Sequence, residues 1–549
     1  MQIQEKSTKK TFLSGVLLLT VSTILVKVVG LLYKIPMLSY LGAEGMGYFN
    51  SAYEIYALFC VIATAGLPVA LSVLISAALA KGEAARVERL YRAALIAFVI
   101  IGTVGTVVMA AGASLFCRII RSENAQLCML SISPTVFLVC VSSALRGFFQ
   151  GYGKMLQTAV SQMIESLGKL GFGLFLANTA LKAGRSTAEI AAAAGVGLTL
   201  GTLTSLLYLI VEKVRFTSNS PKSTAKNAES TEKIGQIWRS LAKLAIPITL
   251  GASAVNLTKL IDMTMILRRL QSIGYSAALA NEAYGRYTTL ALSVYGVLPT
   301  LVNSVALPLV PLLSAAIASG DREKQISLVQ ASYRLTALFA IPSALGMAVF
   351  AEPILKILFA REAESAAFAA PLLSMLGVSV FLSCMITATN SVLHAYRSVN
   401  RPILSLLAGS AVKVVVAFFL IGNPKIGILG APVSSFACNT VVVLLNLIFA
   451  DRLCRVLSLW ETFCKPLALS AAAVGSAYGV YRVLTIRAAS GFLAAAAAFG
   501  TAVLLFVLLS FLFGAFPEED LLALPMGKRL IGLLNRLHLN RKRKEPEKL

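Results

Sequence analysis

Apolar stretches long enough to cross a bilayer, about fourteen of them, occupy nearly the whole of this chain. A helix rises 1.5 Å per residue, so roughly twenty apolar residues span the hydrocarbon. The runs Phe12–Leu32, Leu95–Phe116 and Phe492–Phe513 reach that length. Hydrophobic residues make up 57% of the chain and charged residues 13%, far from the balance of soluble domains. The pattern predicts an all-α polytopic membrane protein. Its function then rests on the polar groups that the spans carry.

The spans are expected near residues 12–33, 48–76, 93–116, 128–148, 157–180 and 188–211, then 241–266, 287–316, 335–358, 369–394, 403–421 and 428–449. Two more are expected near 466–484 and 491–514. Between the sixth and seventh lies a stretch rich in Ser, Lys, Asn and Thr, which reads as a flexible cytoplasmic linker. This predicts an N-terminal six-helix lobe (1–211), the linker (212–240), a C-terminal six-helix lobe (241–450), two further helices (451–514) and a basic tail (515–549). An even number of spans per block gives both blocks the same orientation, as in parallel-repeat transporters. Weak echoes support a duplication. The turn at 145–155 precedes span 5 as the turn at 393–402 precedes span 11, and Lys27 and Lys259 sit at similar depths in spans 1 and 7. No cleavable signal is evident, and Phe12–Leu32 reads as the first span.

A net charge of +24 would suggest nucleic acid in a soluble protein. Here the charges sit elsewhere. With the N-terminus inside, most of the 49 Lys and Arg fall in cytoplasmic segments, which is the positive-inside bias and predicts that both termini are cytoplasmic. The tail Arg541-Lys542-Arg543-Lys544 suits anionic lipid headgroups better than nucleic acid. Eight cysteines without C-x-x-C spacing and two histidines give no sign of a zinc site, a Cys/His catalytic pair or a cofactor. Cys117 and Cys128 flank one expected outer loop and read as small buried residues rather than a bridge.

Ionised side chains at mid-bilayer are costly and normally face a bundle interior or a wet cavity. Lys27 and Lys34 lie seven apart on one face of span 1. Glu165 and Lys169 in span 5 are four apart, and Lys259 and Asp262 in span 7 are three apart, so each pair can meet on its own helix. Span 11 contributes Lys413. Two readings stand open for the pairs, a structural lock between helices or a lining of the transport path. Lys27 and Lys413 have no acid in their own span, which favours a cavity. Glu54, Arg268, Arg269 and Arg286 lie near outer span ends. The deepest charges number four cations (Lys27, Lys169, Lys259, Lys413) against two anions (Glu165, Asp262), so a shared cavity would attract an anion such as pyrophosphate. Gly66-Leu67-Pro68 in span 2 and Pro299, Pro308 and Pro311 around Asn303 in span 8 mark breaks of the kind that line cavities or let a helix bend.

Three stretches carry a resemblance. The first runs from Lys27 to Met37 and on through Leu41-Gly-Ala-Glu-Gly-Met-Gly-Tyr48. The second joins Tyr53-Glu-Ile-Tyr56 to Ala65-Gly-Leu-Pro-Val-Ala-Leu-Ser72. The third is Arg146-Gly-Phe-Phe-Gln-Gly151 with Thr158-Ala-Val-Ser-Gln-Met-Ile-Glu165. Together they resemble the stage V sporulation protein B group of polysaccharide-biosynthesis transporters. That group lies in the multidrug/oligosaccharidyl-lipid/polysaccharide exporter superfamily, which also holds the MurJ-type lipid II flippases. The resemblance implies two six-helix lobes around a central cavity and two extra C-terminal helices. It also implies alternating access and an undecaprenyl-pyrophosphate-linked substrate, most plausibly lipid II, moved from the inner to the outer leaflet of a bacterial plasma membrane. A monomer is implied as well. Lys27, Lys34 and Arg146 are the best N-terminal matches to the family's basic cavity residues, and Lys259 and Lys413 join them as candidates for holding pyrophosphate. Lys stands where relatives often place Arg.

The residues alone favour a transporter over an enzyme. No G-x-x-x-x-G-K-[ST] signature occurs, so energy would come from an ion gradient, the membrane potential or removal of product. Glu165, Asp262 and Glu54 are candidates for Na⁺ or H⁺ coupling, with Lys169 a partner that could neutralise Glu165. The alternatives are a flippase for another lipid-linked polysaccharide unit and a cation-coupled multidrug exporter. The exporter would call for a net acidic, aromatic-lined cavity.

Overall fold

The computed structural model describes residues 2–219, 234–300, 309–398, 400–454, 460–487 and 491–514. The middle of the linker, Asn303, Pro308 and the basic tail lie outside the described residues. Among the described residues every element is a helix. The first, α1 (Gln2–Thr64), has 63 residues and would reach roughly 95 Å if straight, about three bilayer cores. It breaks at Gly42, where φ 67° and ψ 175° suit a residue without Cβ, and the break divides it into two crossings. α2 (Gly66–Ala80) continues the second crossing after a turn at Ala65.

The chain goes on through α3 (Ala84–Ala111), α4 (Ala113–Ile120), α5 (Gln126–Gly151), α6 (Met155–Lys182) and α7 (Thr187–Asn219). Then come α8 (Ile234–Ser272), α9 (Ala277–Arg286), a π-helical turn at Tyr287–Ala291 and α10 (Leu292–Tyr295). α11 (Leu309–Ala318), α12 (Arg322–Val349), α13 (Ala351–Leu358), α14 (Ala363–Ala395) and α15 (Asn400–Ile421) follow. The last are α16 (Gly430–Asp451), α17 (Lys465–Ile486) and α18 (Gly491–Leu512). Among the described residues, 11 helical stretches are long and apolar enough to cross a membrane, and one of them, Ser22–Ala80, holds two of the expected spans. α6 has the length but carries Glu165 and Lys169 in its middle. The expected eighth span opens on the π-helical turn and is interrupted at Gly296, and its residues 301–308 are not described. This is an all-α, multi-pass membrane protein.

The chain forms two compact units, residues 1–289 with 417–431 and residues 290–416 with 432–549. The first therefore extends past the linker to take in α8 and α9. At its centre α5 packs on α1, α2, α3 and α7, burying Ile132, Val136, Cys140 and Phe148. Lipid gives helices no hydrophobic drive toward one another, so close backbone approach and polar contacts must hold them. α6 and α7 meet in this way, since a Cβ on Gly197 would overlap Gly173 and one on Gly201 would overlap the Lys169 backbone. In the second unit α14 buries Leu372, Leu376, Val380 and Met385 and packs on α12, while α17 packs on α12 and α18.

The Arg146–Gly151 motif has a packing account. Gly147 lies against the Pro68 backbone, Gly151 against Ile75, and Phe148 and Phe149 join Tyr152 and Phe216 in an aromatic cluster. Lys213 of α7 sits 3.6 Å over the Phe148 ring. Some short features recur along the chain. Eight-residue helices, α4 and α13, follow α3 and α12, and Leu67-Pro68 and Leu298-Pro299 each follow a break, at Ala65 and Gly296. All eight cysteines, Cys117 and Cys128 among them, are free.

Candidate functional site

The first crossing of α1 carries Lys27 and Lys34 two helical turns apart on one face. Lys27 is exposed, and Lys34 is half-buried and donates through Nζ to the Thr288 carbonyl at 3.3 Å. Glu54 stands on the second crossing, on the far side of the Gly42 break. Lys259 and Asp262 lie one turn apart on α8. These five side chains converge within the first unit. Lys34 is in electrostatic reach of Glu54, Lys27 and Lys259, and Glu54 of Lys34, Lys259 and Asp262. Lys27 and Lys259 repel one another across the same space. Three cations thus face two anions.

A second charged group joins α5, α6 and α7. Glu165 accepts from Arg146 at 2.7 Å and from Lys169 at 2.6 Å. Arg146 also donates to Ser161 at 3.0 Å and Ser205 at 3.2 Å, and the Ser205 hydroxyl donates on to the Ser161 carbonyl at 2.8 Å. Glu165 and Lys169 therefore pair as their spacing predicts, and Arg146 joins them from a different helix. Tyr53 lies in electrostatic reach of Lys169, Glu54 and Glu165. Its ring packs on Phe49 at 6.4 Å and on Tyr56 at 5.5 Å, and Tyr33 adjoins Phe49 at 6.4 Å. An aromatic row thus stands beside both charged groups. Lys413 is half-buried on α15 in the second unit.

Residues that the charge pattern did not single out complete the first group. Asn50 donates to the hydroxyls of Thr288 at 2.8 Å and Thr289 at 2.9 Å, both in the π-helical turn. The signal available in the sequence was an amide four residues before Glu54 inside an apolar run, since such groups often bridge membrane helices. Among the described residues no three His, Cys, Asp or Glu side chains gather as metal ligands. A cation-rich group of lysines, each a mobile point charge, suits the transient holding of an anion such as phosphate.

Comparison with known proteins agrees with this architecture. The chain is 26% identical to stage V sporulation protein B of Bacillus subtilis (strain 168) over 538 residues, covering 95% of this chain and 99% of that protein. It is 23% identical to lipid II flippase MurJ of the same organism over 418 residues, covering 74% and 76%. Among solved structures, lipid II flippase MurJ in an inward closed conformation shares the fold with a TM-score of 0.69 at 15% identity, covering 90% of this chain and 98% of that one. An inward-facing multidrug resistance MATE family transporter of the MOP superfamily gives 0.61 at 13% identity, covering 78% and 94%. The MatE family matches residues 285–419. The family described as polysaccharide biosynthesis protein matches residues 12–316, more than half of the chain and all three stretches on which the resemblance rested. On that match, with its whole-length likeness to stage V sporulation protein B, the chain belongs to the polysaccharide biosynthesis protein family.

Proposed function

We propose that this protein is an alternating-access flippase. It moves an undecaprenyl-pyrophosphate-linked saccharide, with lipid II as the assigned substrate, from the inner to the outer leaflet of a bacterial plasma membrane. The observation that carries the reading is the gathering of Lys34 and Lys259 about Glu54 in the first unit, with Lys27 beside the two lysines and Asp262 beside Glu54. A polar headgroup needs a wet, charged passage, while its lipid tail can stay in the bilayer. The cation excess draws pyrophosphate, and the two carboxylates keep the lysines from binding it too tightly to release. Lys413 is kept as a separate candidate contact of the second unit, and Arg146 is assigned a positioning role through Glu165. The resemblance to lipid II flippases supports the substrate class. Both termini are assigned to the cytoplasm and the working unit is a monomer.

The MatE match and the carboxylates Glu54 and Asp262 favour one further element, Na⁺ or H⁺ coupling through these two groups. The direct test supplies proteoliposomes with fluorescent lipid II, with an undecaprenyl-pyrophosphate saccharide lacking the peptide, and with an organic cation. Translocation of lipid II, with or without the second lipid, supports the reading. Transport of the cation alone overturns it in favour of a multidrug exporter, and translocation of the second lipid alone reassigns the substrate within the class.

A further inference from the structure

The second crossing of α1 is enclosed by other helices. On one side α1 and α9 cross backbone to backbone, since a Cβ on Gly47 would overlap the Asn281 carbonyl and one on Gly285 the Ala43 carbonyl. Helices α5, α6, α7 and α8 also pack on α1. Along this crossing Phe49, Tyr53 and Tyr56 are spaced four and three apart and fall on one face. Phe49 and Tyr56 are each 5% exposed and belong to the core, whereas Tyr53 between them keeps 38% of its surface open. The Phe49 ring lies nearly parallel to that of Tyr53, at 19°, and the Tyr56 ring is tilted by 50°.

Charge, not lipid, borders Tyr53. Lys169 and Glu165 of α6 lie in its electrostatic reach, as does Glu54. Arg146 and Lys169 hold Glu165 between them at 2.7 and 2.6 Å, which fixes this edge of the open space. An ammonium carries three donors and Glu165 takes one of those on Lys169, so Lys169 has donors to offer beside the ring. An aromatic face open among fixed polar groups is the composition of a small-molecule site, in which apolar surface supplies contact and a few polar groups supply orientation. The row also leads to the lysines. Tyr33, next to Lys34 in the chain, adjoins Phe49, and Tyr53 is next to Glu54, about which Lys34 and Lys259 gather.

We propose that Tyr53 is a stacking platform for the pyranose joined directly to the pyrophosphate, an inference that rests on the flippase reading. A pyranose presents a face of C–H groups, which suits the electron-rich face of an aromatic ring, while its oxygens point outward from the ring edge, toward donors such as Lys169. Phosphates held by the lysines bring the first sugar beside this row, whereas a bare carrier lipid has nothing to lay on it. The ring thereby makes the site prefer a glycosylated carrier over the unloaded one, so that the unloaded carrier competes poorly. An organic cation suits the ring less well. Lys27, Lys34, Lys259, Arg146 and Lys169 outnumber Glu54, Asp262 and Glu165 across the two charged groups, and their repulsion opposes a cation–π contact.

The test reads binding rather than transport. Undecaprenyl pyrophosphate, bare or carrying one N-acetylhexosamine, is titrated against the full chain in detergent micelles, and the ratio of the two dissociation constants is taken. The wild type is expected to bind the glycosylated lipid about fivefold tighter, the order that one aromatic contact supports. Tyr53→Leu and Tyr53→Met each replace the ring by an aliphatic chain and are expected to bring the ratio close to one. Tyr53→Phe keeps the ring and is expected to keep the ratio. A wild-type ratio retained in the aliphatic variants overturns the platform. A ratio lost as fully in Tyr53→Phe assigns the effect to the hydroxyl and overturns stacking. Equal binding of both lipids by the wild type removes the platform and leaves the flippase reading standing. If the wild type binds neither lipid but takes up tetraphenylphosphonium, and Tyr53→Leu loses that binding, the flippase reading falls and the ring serves a cation.

Discussion

An ionised side chain persists in a lipid-spanning helix when something answers its charge, and the two charged groups here are answered differently. Arg146, Glu165 and Lys169 answer one another at 2.6–2.7 Å, with side chains only 11–23% exposed. Removing one partner of such a buried pair leaves an uncompensated charge and costs about 3–5 kcal/mol. Glu165→Gln, which leaves Arg146 and Lys169 without their shared anion, is therefore expected to lower the melting temperature in detergent markedly. Adding Arg146→Gln should recover part of the loss, because it removes one of the two stranded cations. Additive losses in that double-mutant cycle would show that the pair does not hold α5 to α6. Lys34 and Lys259 instead face Glu54, with Lys27 as a further cation beside them, so their substitution should affect transport more than melting. The lysines were legible in the sequence because a charge is conspicuous in an apolar run. Asn50, Ser161 and Ser205 were not, since neutral polar residues occur in many spans and only a neighbouring helix shows which of them bridges.

At the scale of the helix, hydropathy and length located the spans, including α6, whose charges left its overall length apparent. The π-helical turn and the α1–α9 crossing were not legible, because each depends on a partner far away in the chain. Backbone approach at small residues does the work that apolar burial does in water. A Leu at Gly201 would drive α7 off the Lys169 backbone, whereas Gly171, on the same α6 as Lys169, faces open space. Gly201→Leu is expected to destabilise the protein strongly, and Gly171→Ala, whose added Cβ meets nothing within 4 Å, to leave melting at or slightly above that of the parent. Equal melting of the two would contradict the packing given for α6 and α7. The broken eighth span illustrates the limit of hydropathy. Its prolines announced a break, but not that a π-helical turn would precede it and take up the Asn50 and Lys34 bonds.

For the whole molecule, equal span counts and the positive-inside bias predicted a duplicated carrier with both ends inside. The eight-residue helices α4 and α13 and the Leu-Pro pairs after Ala65 and Gly296 recur in the two blocks. The boundary between the compact units was not legible, because contacts carry α8 and α9 into the first unit although the linker precedes them. Orientation has its own check. Ala183→Cys, exposed between α6 and α7, should react with impermeant maleimide in intact cells, and Ser218→Cys, exposed at the end of α7, only after permeabilisation. The reverse pattern would invert the topology and with it the outward direction of transport. The account stands most directly on lipid II flipping in proteoliposomes by the wild type and by Lys27→Ala and Lys259→Ala, each matched for folded protein. It predicts flipping by the wild type and at least about a tenfold loss in both variants, equivalent to about 1.4 kcal/mol of lost pyrophosphate contact. Undiminished flipping by both variants would return these lysines to a structural role and contradict the proposed pyrophosphate path.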